Sequence, residues 1–214
     1  PERAALLDVP FVCCSYTNSF GMLRKENYSS VTIDDRQEAR RAVEELLRQG
    51  HKKIAILLDS VCDRSISQLR YMGYCGALSD AGLAFDAGLV EETQTFDMAA
   101  AYAGMERLIK RRSDFTAVFA IADAMAVAAM KALHDNGRCV PQDCSVIGID
   151  GIAMSAYSIP TLTTLIQPAE EMGETSVRLL LDMIEGRAQN RHILLPTVLR
   201  RGGSVCTLRQ EDNR

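Results

Sequence analysis

No run of about 18 apolar residues occurs in the chain, so no helical membrane span is expected. The first ten residues, PERAALLDVP, lack the apolar core behind a basic start that marks a secretory signal. Cysteine pairs of the CxxC kind are missing too. Of the seven cysteines, Cys13 and Cys14 are adjacent, while Cys62, Cys75, Cys139, Cys144 and Cys206 stand alone. A metal centre draws on short-spaced ligand pairs, so none is expected. Several of these thiols sit inside apolar runs, where a free cysteine acts as a small hydrophobe. The reading is of reduced thiols in a cytoplasmic protein.

Histidine is scarce, and His51, His134 and His192 have no nucleophile or acid beside them in a catalytic pattern. No GxGxxG, P-loop or GxSxG stretch appears. Gly148-Ile149-Asp150-Gly151 is no phosphate cradle, since its two glycines only flank an acid. The sequence therefore points to no cofactor, no catalytic residues and no enzyme. A formal net charge of −4 argues against these residues forming a nucleic-acid-binding surface. The basic clusters, such as Arg36/Arg40/Arg41 and Arg200/Arg201, fall on helix faces or element ends, where charge is solvated.

What is present is ordinary globular material, 47% hydrophobic and 24% charged over 214 residues. That length suits one large α/β domain or two small lobes. Short strands are expected at Phe11–Tyr16 and Ser30–Ile33, with an irregular stretch between. A helix then starts at Asp34-Asp35, with Glu38 three residues after Asp35 as in a capping box, and stops at Gly50. Strands at Lys53–Leu58, Leu89–Glu92, Ala117–Ile121 and Ser145–Ile149 alternate with helices at about Ser65–Ala81, Met98–Lys110 and Ala124–Asn136. This alternation predicts a doubly wound parallel sheet with right-handed crossovers. Leu162–Ile166 is a further strand. Pro168–Ile184 is a helix whose apolar face is read as Met172, Val177, Leu180 and Ile184. His192–Leu199 is the last strand, and a loose tail follows.

Val140–Pro168 is the stretch around which the rest is organised. Its strand ends on Asp150-Gly151, and ligands of open α/β sheets sit beyond the carboxyl ends of strands. Asp150 either accepts hydrogen bonds from a polar ligand there or caps the following segment. The wording VPxDxSVIGxD, followed by P-x-L-T-T, QP and MG, resembles the effector-binding core of the lactose-repressor (LacI) family. That core is similar to type I periplasmic sugar-binding proteins. Val9-Pro10, Gly50-His51-Lys52-Lys53-Ile54-Ala55, Arg70-x-x-Gly73-Tyr74 and Ala117-Val118-Phe119 with Asp123-x-Met125-Ala126 follow the same order. The resemblance runs over roughly residues 8 to 201.

The resemblance implies one complete lobe and part of a second. Residues 1–33 would belong to the partial N-terminal lobe and 34–161 to the C-terminal lobe. Residues 162–192 would return to the first, 193–206 would supply the final strand of the second, and 207–214 would be tail. Crossovers are expected near Ser30–Asp34, Pro160–Thr164 and Asn190–Ile193. A DNA-binding headpiece would lie outside this chain. A small polar effector, a sugar or sugar derivative, would bind between the lobes of a homodimer and control operator DNA.

Arg70 is either a solvated arginine or, as the resemblance implies, a donor fork reaching the cleft beside Asp150. Arg64 lies in the loop after a strand, and purine-responsive members of the family carry arginines at both matching positions. Phe96 could stack on a sugar or base, or lie in the core. Asp123 either caps a helix or touches ligand, and Gln167 is a further cleft candidate. Sugar-responsive members often have Asn-Asp where this chain has Ala122-Asp123, which removes one hydroxyl partner. Two alternatives stay open, a solute-binding protein of the same fold and a purine-type effector.

Overall fold

A computed structural model describes residues 9–15, 28–61 and 66–208. Among the described residues there are two sheets, and the larger carries the candidate site. It has six strands in the order β4-β3-β5-β6-β7-β9. These are β3 (Ile54–Leu58), β4 (Val90–Glu92), β5 (Ala117–Ala120), β6 (Ser145–Asp150), β7 (Thr163–Ile166) and β9 (Val198–Arg200). All neighbours pair in parallel except β7 with β9, which is antiparallel. Every residue of β3 and β5 is buried, and both strands are apolar without alternation. Covered on both faces, such a strand has no polar side to present.

Helices α1 (Asp35–Arg48) and α2 (Ile66–Asp80) pack on each other along one face of that sheet. Helices α3 (Met98–Arg111) and α4 (Asp123–Asp135) do so on the other. The expected doubly wound architecture is thus the observed one. Their buried residues merge with the sheet into one apolar core that includes Leu46, Tyr74, Met105, Phe119 and Leu133. At the sheet's amino end, buried His51 bonds Thr116 Oγ1 at 3.0 Å and the Cys206 carbonyl at 3.1 Å, and burial lowers its pKa. This histidine serves the fold.

The smaller sheet has the order β1-β2-β8. It consists of β1 (Val12–Cys14), β2 (Ser29–Thr32) and β8 (His192–Leu194), all parallel, with α6 (Ala169–Ile184) packed on β1 and β2. A five-residue helix, α5 (Ala153–Tyr157), lies between β6 and β7.

Several expectations need correction. The cap of α1 is Asp34, whose side chain accepts from Gln37 N–H at 3.0 Å. Asp35 is inside the helix and buried, so no capping box forms with Glu38. The return to the small sheet comes later than residue 162, because β7 pairs with β6 in the large one. The chain crosses after Ile166, through Gln167 and Pro168. The expected strand His192–Leu199 is two strands, broken at Leu195–Thr197 where the chain crosses between sheets. Pro196 has no N–H for a continuing ladder. The buried face of α6 is Met172, Ser176 and Leu179, while Val177, Leu181 and Ile184 are exposed.

Candidate functional site

The carboxyl ends of β5, β6 and β7 converge on a buried polar cluster. Its centre is Asp123, completely buried at the start of α4. One carboxylate oxygen accepts from Gly151 N–H at 2.9 Å and Ile152 N–H at 3.1 Å. The other accepts from Thr164 Oγ1 at 2.5 Å. Gly148 makes room for that carboxylate, since a Cβ there would lie 2.5 Å from Asp123 Oδ1. Asp123 therefore ties α4, β6 and β7 together, and both its oxygens are used within the protein.

Asp150 closes β6 with φ +133°, and Gly151 follows at φ +76°. A non-glycine residue at positive φ is strained and persists where its surroundings hold it. Here the holding bonds are those from Gly151 and Ile152 to Asp123. The sharp turn leaves the Asp150 side chain 26% exposed at the rim. Its Oδ1 accepts from Gln167 Nε2 at 2.8 Å and lies 3.5 Å from Arg70 Nη1. Its Oδ2 is 3.4 Å from Asp123 N–H. Burial raises the Asp150 pKa above the ordinary carboxyl value, and the nearby Asp123 adds to the rise. Arg70 and the Gln167 bond offset part of it.

Arg70 is buried rather than solvated. Its Nε and Nη2 each lie 2.9 Å from Asp35 Oδ1, and Nη1 donates to the Ile121 carbonyl. The guanidinium thus joins α1, α2 and the end of β5, with one edge turned to Asp150. Burial also raises the Asp35 pKa, opposed by Arg70. Removing either partner would leave a buried charge alone, a loss of several kcal/mol.

The structure brings Arg70, Asp123, Asp150 and Gln167 into one network. Phe96 stands in the loop between β4 and α3, with 43% of its surface exposed. Arg64 lies outside the described residues. Asp35 and Thr164 belong to the network but were not among the sequence candidates. A second acid after the Asp34 cap and a polar pair inside the apolar LTTLI run were the signals available. No group of three metal-ligating side chains lies together among the described residues. What the cluster offers is a rigid, partly exposed carboxylate and amide, suited to orienting a polar ligand.

Residues 43–205 match the periplasmic binding protein-like domain. The HTH-type transcriptional regulator MalR of Clostridium butyricum is 38% identical over 193 residues, 90% of this chain and 57% of that protein. A transcriptional regulator CelR–cellobiose complex superposes with a TM-score of 0.82 at 32% identity, covering 91% of this chain and 58% of that one. A LacI family transcriptional regulator from Enterococcus faecium with bound ribose gives a TM-score of 0.78 at 31% identity, covering 85% of this chain and 67% of that one. The chain spans about half the length of the curated relatives it matches. These relatives are regulators, and enzymes are not the family's business. On this footing the chain belongs to the periplasmic binding protein-like family and is similar to LacI-family transcriptional regulators.

Proposed function

We propose that the chain senses a sugar or sugar derivative at the carboxyl end of its large sheet and that occupancy controls DNA binding by a headpiece outside these residues. One observation carries this reading: Asp150, strained and partly exposed, is held at that end by Gln167 and Arg70. Asp150 and Gln167 contact the ligand, and Phe96 stacks on it. Arg70 presents one edge to the ligand while Asp35 fixes the rest of its fork. Asp123 sets the geometry from behind. The sugar ligands of the CelR and Enterococcus faecium regulators support the ligand class.

Three chain crossings join the sheets, after β2, after β7 and between β8 and β9. A ligand that favours one relative orientation of the two sheets shifts that equilibrium by its differential affinity. The protein works as a homodimer in the cytoplasm, because paired half-sites on operator DNA call for two headpieces. Tyr157 and Ile159, 86% and 96% exposed, supply apolar surface for such a contact.

Thermal unfolding of the full-length protein with sugars, sugar phosphates and purines tests the assignment. A binder at 100 times its dissociation constant adds about 2.7 kcal/mol. A sugar should stabilise wild type and fail to stabilise Asp150→Ala. Equal stabilisation of both would refute the site.

A further inference from the structure

We propose that Asp59 is a second ligand-binding carboxylate, and that it selects a neutral, polyhydroxylated effector by accepting a hydroxyl hydrogen at the end of β3. The inference rests on the cleft reading above and extends it to a residue outside the Asp123–Asp150 network.

Asp59 follows the last residue of the apolar strand β3 and is only 7% exposed. Its Oδ1 is buried and has no hydrogen-bond partner. The backbone around it is pinned on both sides. Its own carbonyl accepts from Gln94 N–H at 2.7 Å, and Leu58 O accepts from Thr93 N–H at 2.8 Å. Val61 N–H donates to Glu92 Oε2 at 2.9 Å. The backbone that carries the unmet oxygen is therefore fixed on both sides.

Buried polar groups are nearly always paired, so an exception asks for a reason. The other buried acids of the described residues follow the rule. Asp35 has Arg70, Glu38 has Arg41 and Thr197, and Glu45 has Arg48 and Arg201. Glu91 has Arg107 and Arg111, and Asp123 has Thr164 and two backbone N–H groups. Among the buried acids of the described residues, only Asp59 retains a wholly buried oxygen without a donor. It does so at the carboxyl end of a central strand, the edge at which sheets of this kind bind ligands. The adjoining end of β5 offers only Ala122 as a side chain.

The chemistry of the donor follows from the charge. A phosphate or carboxylate would meet a second negative group in a desolvated place, whereas a hydroxyl donates into it. Asp59 and Asp150 belong to strand ends with β5 between them. At roughly 5 Å per strand, their backbones stand about 10 Å apart. A ligand bonded to both presents hydroxyls at opposite ends, as saccharides do.

Titrations of the full-length protein with cellobiose, ribose and glucose 6-phosphate decide the matter, using wild type, Asp59→Asn and Asp150→Ala. In Asp59→Asn, the saccharide bound by wild type should dissociate 10- to 100-fold more readily, the worth of a hydrogen bond to a charged group. The ligand-free melting temperature of that variant should stay level or rise, because a group kept for a ligand contributes nothing to the empty fold. A fall in ligand-free melting temperature would overturn the inference, whether or not a saccharide binds, and would make Asp59 a structural acid. Binding lost in Asp150→Ala but kept in Asp59→Asn overturns this inference and leaves the cleft reading standing. Binding kept in both variants refutes the cleft reading itself. Preference for glucose 6-phosphate over both sugars overturns the ligand class.

Discussion

Asp150 carries a cost to stability. Its backbone is strained, and its carboxyl pKa is raised chiefly by burial. A folded state that binds a proton more tightly than the unfolded chain loses stability as pH rises from the ordinary carboxyl value, 3.8, through the raised one. Below that window the cost is absent, and above it the cost is complete. Asp35 shifts in the same direction, so wild type carries both effects. Asp150→Asn removes one of them. Its melting temperature relative to wild type should climb across this acid window and then level off towards neutrality. Melting curves at a series of pH values check this, and a difference that is flat or falls with pH would contradict it. Asp150 and Gln167 were legible in the sequence as polar residues closing apolar strand runs. The pairing of Arg70 with Asp35 was not, because their hydrogen bond joins residues 35 apart on different helices. Nor could the sequence distinguish a ligand-facing Asp123 from a buried one, since helix cap and ligand contact call for the same residue type.

At the level of elements, helix packing positions Arg70. Helices α1 and α2 cross so closely that a Cβ on Gly73 would lie 2.2 Å from the Arg36 carbonyl and 2.9 Å from Ala39 Cβ. Backbone cannot yield as a flexible side chain can, so Gly73→Ala must part the helices. That change should cost about 1–3 kcal/mol, measured by denaturant unfolding. It should also weaken ligand binding, because Arg70 lies one helical turn away and its bond to Asp35 spans the two helices. An unchanged unfolding midpoint would refute the close-packing account. Helix and strand identities in the large sheet were readable from continuous apolar runs and helix stops. The faces of α6 were not. Val177 and Ile184 share a helical stripe with Leu181, and periodicity alone cannot say whether that stripe or the one through Met172, Ser176 and Leu179 is covered. The split between β8 and β9 escaped for a related reason, since one nearly continuous apolar run serves two sheets.

At the scale of the molecule, two sheets are joined by three crossings, and the proposed function requires a ligand to bias their relative orientation. The doubly wound lobe was expected from alternating strands and helices, and it is present. The sites of two crossings were misplaced because strand pairing, not strand sequence, decides to which sheet a segment belongs. Tyr157 and Ile159 project beyond α5 beside the turn that leads into β7. If they form the proposed dimer contact, Tyr157→Asp with Ile159→Asp should convert dimer to monomer in sedimentation analysis without lowering helix content. A dimer that persists would place the contact elsewhere.

The central claim is that ligand at the Asp150 end controls DNA binding. Its most direct test measures the affinity of the full-length protein for its own promoter DNA, with and without the sugar that stabilises it. The account predicts a change of about 5- to 150-fold in wild type, the range of coupling energies between linked sites, and none in Asp150→Ala. A sugar that binds wild type yet leaves DNA affinity unchanged would contradict the claim. The protein would then be a solute-binding relative of these regulators.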